Sequence, residues 1–209
     1  MENFVQAVKA TYATTGKSKT TNAFGMRPMQ ERAYEKRGEQ YLLIKSPPAS
    51  GKSRALMFIA LDKVINQGLK QGLIVVPECA IGASFRNTEL SKFGFWADWK
   101  VEPRWNLCLD GDDSVNASKV QAVKDFLQSD DKFLICTHAT FRFAVKELGV
   151  EAFDNRMIAI DEFHHVSANP ENRLGEYLKQ IIERDKTHIV AMTGSYFRGD
   201  SDAVLMPED

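Results

Sequence analysis

The chain has 209 residues, of which 44% are hydrophobic and 26% are charged, a composition typical of a folded globular domain with a buried core. This composition excludes a largely disordered or collagen-like chain. Lys and Arg number 27 and Asp and Glu number 28, so the net charge of −1 gives no whole-chain argument for a nucleic-acid partner. Any evidence for such a partner must therefore be local.

The cysteines and the apolar runs indicate the compartment. The three cysteines are widely spaced, with no CxxC pair and no histidine at metal-ligand spacing, so we expect reduced, mostly buried thiols. The first twenty residues lack a signal-peptide core, and no apolar run approaches the ~18 residues that a membrane span needs. We therefore expect a cytoplasmic protein with no membrane partner. The cysteines are Cys79, Cys108 and Cys136.

Residues 1–25 predict a loosely held lead-in that contains one short amphipathic helix. From position 40 onward, short apolar runs alternate with helical stretches, which is typical of parallel βα units. The runs are apolar on both faces, as strands buried between two helical layers would be. The predicted strands are Tyr41–Lys45, Leu73–Val76, Leu107–Leu109, Phe133–Cys136, Met157–Ile160 and Ile189–Met192, and the predicted helices lie near Ser53–Asn66, Ala83–Lys92, Ala117–Gln128, Thr140–Leu148 and Arg173–Arg184.

This alternation predicts an α/β domain over residues 26–209, with a doubly wound, mainly parallel sheet and helices on both faces. Ligands of such domains bind beyond the carboxyl ends of the strands, so the residues that follow each strand are the candidates for a site. An aromatic cluster between Phe93 and Trp105 is interleaved with basic residues. It has two interpretations, of which we favour core packing over a stacking platform for single strands.

A phosphate-binding loop is predicted directly after the first strand. Residues 46–53 have the sequence SPPASGKS and lie between an apolar run and a helix. Backbone N–H groups at the start of such a helix point at a phosphate, and the helix dipole favours anions there. Lys52 would reach the β- and γ-phosphates, and the Ser53 hydroxyl would ligate Mg²⁺. The other residues of this predicted nucleotide site are Pro48, Ala49, Ser50 and Gly51.

Two carboxylates end a later buried strand. Asp161 and Glu162 directly follow Met157–Ile160, and charges at such a position are costly unless they bind something or are well paired. Asp161 would hold Mg²⁺, while Glu162 would polarise the water that attacks the γ-phosphate. The alternative is a helix N-cap, because acidic residues are favoured at a strand-to-helix junction. The phosphate loop upstream favours the catalytic interpretation.

Asp161-Glu162-Phe163-His164 resembles the DExH box of superfamily 2 helicases, and other segments between residues 27 and 199 resemble further motifs of that family in the same order. The resemblance implies a RecA-like P-loop fold, the first of two RecA-like domains, with ATP and Mg²⁺ as ligands. It extends to the motor subunits of restriction enzymes and to DEAD/DEAH-box helicases of phage and mobile elements.

The resemblance also implies roles for individual residues. Arg27 and Gln30 stand where the family reads adenine, although Gln30 could equally be a helix-surface residue. His164, as a catalytic residue, would bridge the carboxylates to the segment that couples hydrolysis to nucleic acid. The coupling residues are Thr193, Gly194 and Ser195, and the candidates for nucleic-acid contact are Pro77, Thr137, His138 and Thr140.

The function that the resemblance favours is that of a nucleic-acid-dependent ATPase, a helicase or translocase, with DNA rather than RNA as the partner. Such motors hydrolyse ATP between two RecA-like domains. We find no second domain after Arg198, so we expect weak ATP and Mg²⁺ binding and little turnover from this chain alone. The alternatives are another P-loop enzyme, such as a phage DNA-packaging motor or a small-molecule kinase, and a non-hydrolysing nucleotide-binding scaffold.

Overall fold

The structure is a computed structural model that describes residues 21–166 and 173–194. The predicted amphipathic helix of the lead-in and the coupling residue Ser195 lie outside these residues. The strands are β1 (Tyr41–Lys45), β2 (Gly72–Val76), β3 (Phe133–Thr137), β4 (Met157–Ile160) and β5 (His188–Thr193). The helices are α1 (Pro28–Glu35), α2 (Lys52–Ile65), α3 (Cys79–Gly82), α4 (Ala117–Gln128), α5 (His138–Leu148) and α6 (Arg173–Glu183), and short 3₁₀ turns connect several of them.

The five strands form one parallel sheet in the order β1-β5-β4-β2-β3. The connection from β1 to β2 crosses the sheet in one direction, whereas those from β3 to β4 and from β4 to β5 cross it in the other. Because such crossovers are right-handed, α2 lies on one face of the sheet and α5 and α6 lie on the opposite face. Every residue of β2, β3 and β4 is buried, as expected for strands covered on both sides. The α/β prediction with a doubly wound sheet is confirmed.

The predicted strand Leu107–Leu109 is wrong. Only the start of this segment approaches the sheet, where Leu107 N donates to Ile135 O at 2.9 Å beside an isolated bridge at Asn106. A 3₁₀ turn at Pro103–Trp105 precedes it, and Leu109 is 66% exposed. Three apolar residues between two turns are too few to form a ladder.

The predicted helix Ala83–Lys92 is also wrong. The chain there breaks into the short helix α3, a 3₁₀ turn at Ala83–Phe85 and an antiparallel bridge between Thr88 and Trp99. The Trp99 ring is fully buried, and its Nε1 donates to Phe85 O at 2.8 Å. Burial of this large side chain outweighs local helix propensity.

The thiols are buried, as the composition predicted. All three cysteines are free and buried among the residues that form the core. Burial raises the pKa of the Cys108 thiol to about 11, so this group is protonated and unreactive near neutral pH. Within residues 21–166 and 173–194, no helix combines the length and the apolar character required to cross a bilayer.

A buried lysine links α2 to the amino end of the sheet. Lys63 is fully buried, and its Nζ donates to Glu39 O at 2.7 Å and lies 2.8 Å from His188 Nδ1. Burial lowers the pKa of Lys63 to about 8, and burial together with Lys63 lowers the pKa of His188. The contacts therefore place the Nδ1 lone pair of a neutral imidazole against the amine.

We expect the contribution of Lys63 to the free energy of unfolding to rise with pH between about 8 and 10.5, because in that interval the unfolded chain keeps the Lys63 proton that the folded chain has lost. Lys63→Met should remove this rise, which amounts to roughly 1–3 kcal/mol in the free energy of unfolding. Denaturant unfolding of the unmodified chain and of the variant at pH 7.5 and pH 10 measures this contribution. The control is Lys70→Met at an exposed position, and an identical change in stability between the two pH values in the Lys63 variant and in the unmodified chain would contradict the assignment.

Candidate nucleotide site

Three segments predicted to carry chemistry meet at one edge of the sheet. β1 pairs with β5 so that Lys45 lies beside Thr193, and β5 also pairs with β4, whose last residue is Ile160. The loop that follows β1 and the carboxylates that follow β4 therefore leave the same carboxyl edge. Ser46 N donates to Thr193 O at 3.1 Å, which ties the start of the loop to the end of β5.

The loop at residues 46–53 has two residues with left-handed backbone. Gly51, the N-cap of α2, has φ +92°, and a Cβ there would lie 2.6 Å from Gln30 Nε2. Glycine is therefore required on grounds of both conformation and space. Ala49 has φ +58°, a conformation that costs a non-glycine residue of the order of 1 kcal/mol. The loop is held by its tertiary contacts rather than by local preference.

Lys52 is buried within this loop. Its Nζ donates to Ser46 O at 2.9 Å and to Pro47 O at 3.3 Å, so the ammonium closes the loop on itself. Gly194 lies against the same loop, because a Cβ built on it would be 3.9 Å from Lys52 Nζ. Phosphate oxygens carry more negative charge than carbonyl oxygens, so the ammonium can exchange these contacts for phosphate oxygens.

Two serines of the loop have hydroxyls suited to a ligand. Ser50 Oγ is buried and lacks a hydrogen-bond partner among the described residues. Buried polar atoms normally have a hydrogen-bond partner, so the position of this hydroxyl in the loop fits donation to a phosphate oxygen. Ser53 Oγ is exposed at the start of α2 and lies 3.3 Å from Ser84 Oγ. Sequence reasoning missed Ser84, because it lies 31 residues further along in a segment without a motif.

Asp161 and Glu162 form the acidic part of the site. Asp161 is only 4% exposed. Burial and the Glu162 carboxylate raise the pKa of Asp161 to about 6. The backbone N–H of Glu162 and the ammonium of Lys52 act in the opposite direction and lower this pKa. Glu162 has φ +50°, and its N–H donates to Asp161 Oδ1 at 2.9 Å. Left-handed backbone at a glutamate is strained, and such strain concentrates at functional sites.

No group of three or more potential ligating side chains occurs among the described residues. Mg²⁺ commonly uses one or two protein ligands and completes its shell with phosphate and water oxygens. The hydroxyl of Ser53 and the carboxylate of Asp161 fit that requirement, since both are oxygen ligands at this edge of the sheet.

His164 joins the carboxylates to the end of β5. Its Nδ1 lies 3.2 Å from Glu162 Oε2 and 3.2 Å from Thr193 Oγ1. This is the bridging position that the resemblance implied. Thr193 also accepts the Ser46 N–H through its carbonyl, so one residue contacts both the phosphate loop and the histidine.

Gln30 connects α1 to the phosphate loop. It is buried, its Oε1 accepts from Arg27 N at 2.8 Å, and its Nε2 donates to Gly51 O at 3.1 Å. The interpretation of Gln30 as an ordinary helix-surface residue does not agree with this burial. The amide instead lies between the segment of Arg27 and the turn of the loop.

The four candidates for nucleic-acid contact lie at the carboxyl ends of β2 and β3. Pro77 directly follows β2 and is half-buried. Thr137 and Thr140 are buried, and the Thr137 hydroxyl caps α5 by accepting from Thr140 N at 3.2 Å. This geometry gives the two threonines a capping role at the start of α5. His138 Nε2 lies 3.0 Å from Asp161 O, so this side chain reaches the acidic part of the site.

The aromatic cluster is mainly core, as we favoured. Phe95, Trp99 and Trp105 are buried, whereas Phe93 and Trp96 remain exposed. The buried rings pack edge-to-face or tilted against neighbours on α2, α4 and β3. A continuous stacking platform is therefore not present in this segment.

Comparison with known proteins agrees with this arrangement. The family model for DEAD/DEAH box helicases matches residues 27–200. YeeB of Bacillus subtilis (strain 168), by name a candidate ATP-dependent helicase, is 59% identical over 209 residues. The match covers 100% of this chain but 34% of YeeB, so the chain spans about a third of that relative.

Solved structures show the same fold at low sequence identity. The Pyrococcus furiosus Hef helicase domain aligns with a TM-score of 0.56 at 17% identity, covering 88% of this chain and 34% of that one. The DUF1998 helicase MrfA, in a structure bound to DNA and AMPPNP, aligns with a TM-score of 0.55 at 16% identity. That match covers 88% of this chain and 27% of the MrfA chain. The UvsW helicase of bacteriophage T4 aligns with a TM-score of 0.50 at 17% identity, and the match covers 82% of this chain and 54% of that one.

Proposed function

Because this chain belongs to the DEAD/DEAH box helicase family, we propose that it is the ATP-binding motor domain of a nucleic-acid-dependent helicase or translocase. The observation that carries the proposal is the convergence of three elements at one edge of the sheet. These are the loop with Lys52, the carboxylates Asp161 and Glu162, and the contact of His164 with Thr193. Each matches a different requirement of ATP hydrolysis.

The loop would bind the phosphates of ATP. The N–H groups at the start of α2 and the hydroxyl of Ser50 would donate to phosphate oxygens, and Lys52 would leave the carbonyls of Ser46 and Pro47 to contact them. Ser53 and Asp161 would hold Mg²⁺. The ion, when bound, would neutralise charge on the β- and γ-phosphates. Phosphate binding would therefore require the Lys52 side chain to exchange its two carbonyl partners.

Glu162 would act as the base. Its carboxylate is half-buried beside His164, and it is held by a strained backbone at the carboxyl edge of the sheet. From this position it would accept a proton from the attacking water as the γ-phosphate leaves. On this proposal, Asp161 and Glu162 divide the work of metal binding and water activation.

The His164 contact would report the state of the nucleotide to β5. A change in charge at Glu162 acts on His164 Nδ1 and through it on Thr193, which directly precedes Gly194 and Ser195. The Ser46–Thr193 backbone bond gives the phosphate loop a second connection to the same residue. This shared position is the basis for proposing residues 193–195 as the coupling segment.

We propose nucleic acid, DNA rather than RNA, and a second RecA-like domain as the partners. The fold neighbour MrfA is a helicase with a structure bound to DNA and AMPPNP, and YeeB is about three times as long as this chain. In motors with two RecA-like domains, arginines of the second domain stabilise the transferring phosphate. On this proposal, the chain alone binds ATP and Mg²⁺ but turns over slowly.

ATP hydrolysis should be measured on this chain and on full-length YeeB, with and without single-stranded DNA, duplex DNA and single-stranded RNA. We expect slow hydrolysis by the chain alone and clear stimulation of YeeB by DNA. Absence of nucleotide binding by this chain, or absence of any nucleic-acid stimulation of YeeB, would argue against a motor.

Gln30→Ala should weaken ATP binding by about 10-fold and reduce the preference for ATP over GTP. The buried amide holds the Gly51 carbonyl and the Arg27 N–H, so its loss leaves both groups without their partner and loosens the loop. Titration with fluorescent ATP and GTP analogues measures both effects. Gln128→Ala, at an exposed position on α4, is the control. Unchanged ATP and GTP affinities in the Gln30 variant would contradict the assignment of Gln30 as the residue that recognises adenine.

A further inference from the structure

A depression of ≈ 270 Å³ lies outside the nucleotide site, between α5 and α6. These two helices pack against each other on the face of the sheet opposite α2. Among the described residues, the depression is lined by three cations and two aromatic rings and by no carboxylate. The lining residues are Arg142, Phe143, Lys146, Arg173 and Tyr177.

The cations are available for a ligand. Arg173 and Lys146 are exposed and Arg142 is half-buried, and no ion pair between described residues involves any of the three. Two carboxylates on the same helices, Glu147 and Glu176, are exposed and are not among the lining residues. In a chain with a net charge of −1, this is a local surplus of positive charge.

The aromatic rings suit a ligand that is more than a simple anion. Phe143 is 41% exposed although it lies on a well-packed helix, and the Arg142 guanidinium lies over its ring at 5.2 Å from the centroid. Tyr177 is half-buried one turn after Arg173 on α6. Exposed rings interleaved with arginine and lysine bind the bases and the phosphates of single strands together.

The position of the depression relates it to the nucleotide site. α5 starts at His138, whose Nε2 contacts Asp161 O, and Arg142 and Lys146 follow one and two turns later. They lie about 6 and 12 Å further along the helix axis. The positive surface therefore runs from the edge of the nucleotide site down the side of the domain.

We infer that this depression, which we name the α5–α6 groove, binds the backbone of a single-stranded nucleic acid, with Phe143 and Tyr177 against its bases. The inference rests on the proposed function and extends it, because these five residues lie outside every segment that the sequence marked for nucleic-acid contact. An acidic protein segment would also satisfy the cations, but it would leave the exposed rings without a role.

The test uses the whole chain and a fluorescein-labelled dT20 strand, with anisotropy measured between 25 and 200 mM salt. Arg142→Ala, Lys146→Ala and Arg173→Ala in one variant should weaken binding at least ~10-fold and lower the salt slope of log K by about 2, since single strands contribute ~0.7 per phosphate contact. The matched control carries alanine in place of Lys70, Lys124 and Lys132, three exposed lysines that do not line the groove. It should change the affinity for dT20 less than twofold.

A second variant, Phe143→Ala with Tyr177→Ala, keeps the charge constant. It should weaken dT20 binding about 10-fold and leave binding to a duplex of the same length unchanged. Circular dichroism and thermal midpoints establish that every variant is folded.

Several outcomes would overturn the inference: equal losses in the groove and control variants, no dT20 binding by the unmodified chain, or groove-dependent binding of polyglutamate in place of dT20. Affinity for ATP and Mg²⁺ is measured on the same samples. If ATP binding is intact while the groove fails these tests, only the inference is lost. If ATP does not bind, the proposed function fails whatever the groove does.

Discussion

Lys52→Ala is expected to lower ATP affinity at least ~100-fold and to reduce hydrolysis to background, because the ammonium is the only cationic side chain within the loop at residues 46–53. Its present partners are the carbonyls of Ser46 and Pro47, at 2.9 and 3.3 Å. Loss of those two contacts affects the empty protein little, since the loop carbonyls can turn to water. The expected result is therefore a folded protein that does not bind ATP.

Binding should be followed by titration with a fluorescent ATP analogue and hydrolysis by phosphate release. Glu162→Gln is the informative companion, because it should keep nucleotide affinity within a few-fold while slowing hydrolysis by ~10²–10⁴, the range of a lost general base. Lys70→Ala controls for the loss of one positive charge at an exposed position. If Lys52→Ala binds ATP with unchanged affinity, the phosphate-loop assignment is wrong.

The sequence predicted the five strands of the sheet to within one or two residues. All five are short, mainly apolar runs, a pattern that depends on local composition alone, and β2, β3 and β4 are buried throughout. The order of the strands was not predicted, since periodicity carries no information about which strands pair. The two wrong elements, Leu107–Leu109 and Ala83–Lys92, both lie in the long connection between β2 and β3. There, packing of Phe85 and Trp99 determines the path of the chain.

The site was predictable where it consists of consecutive residues. The loop at 46–53 and the Asp161-Glu162 pair are contiguous motifs, each after a strand. The contacts between segments were not predictable from residue types. Gln30 Nε2 donates to Gly51 O, and Ser53 Oγ lies beside Ser84 Oγ, across separations of 21 and 31 residues. The α5–α6 groove is likewise a product of the packing of two helices and has no motif in the sequence.

Asp161 illustrates a conflict between stability and ligand binding. Burial and the neighbouring Glu162 raise its pKa from 3.8 to about 6. Between these pH values the folded chain holds a proton that the unfolded chain has released. The stability that this group contributes is therefore fully present below pH 3.8, and it is lost as the pH rises through about 6. At pH 8 the empty protein carries a buried carboxylate, which lowers its free energy of unfolding by up to about 3 kcal/mol.

Asp161→Asn is consequently expected to raise the free energy of unfolding of the empty protein by roughly 1–3 kcal/mol at pH 8, and by much less at pH 4.5. The asparagine keeps an oxygen that can accept the Glu162 N–H, but it removes the charge that burial opposes. The same variant should lose Mg²⁺-dependent binding of ATP, since an amide oxygen is a poorer Mg²⁺ ligand than a carboxylate. Stabilisation in the empty state and loss of ligand binding should thus occur together.

Thermal and denaturant unfolding at pH 4.5 and pH 8, with and without ATP and Mg²⁺, measure both effects. The unmodified chain should gain stability from the ligands at pH 8, whereas Asp161→Asn should start higher and gain nothing. Asp130→Asn, which removes an exposed carboxylate, should follow the unmodified chain under every condition. A variant that is less stable than the unmodified chain at pH 8 would show that the Asp161 carboxylate is compensated within the empty site. A variant that keeps its ligand-dependent gain would show that the ion is held elsewhere.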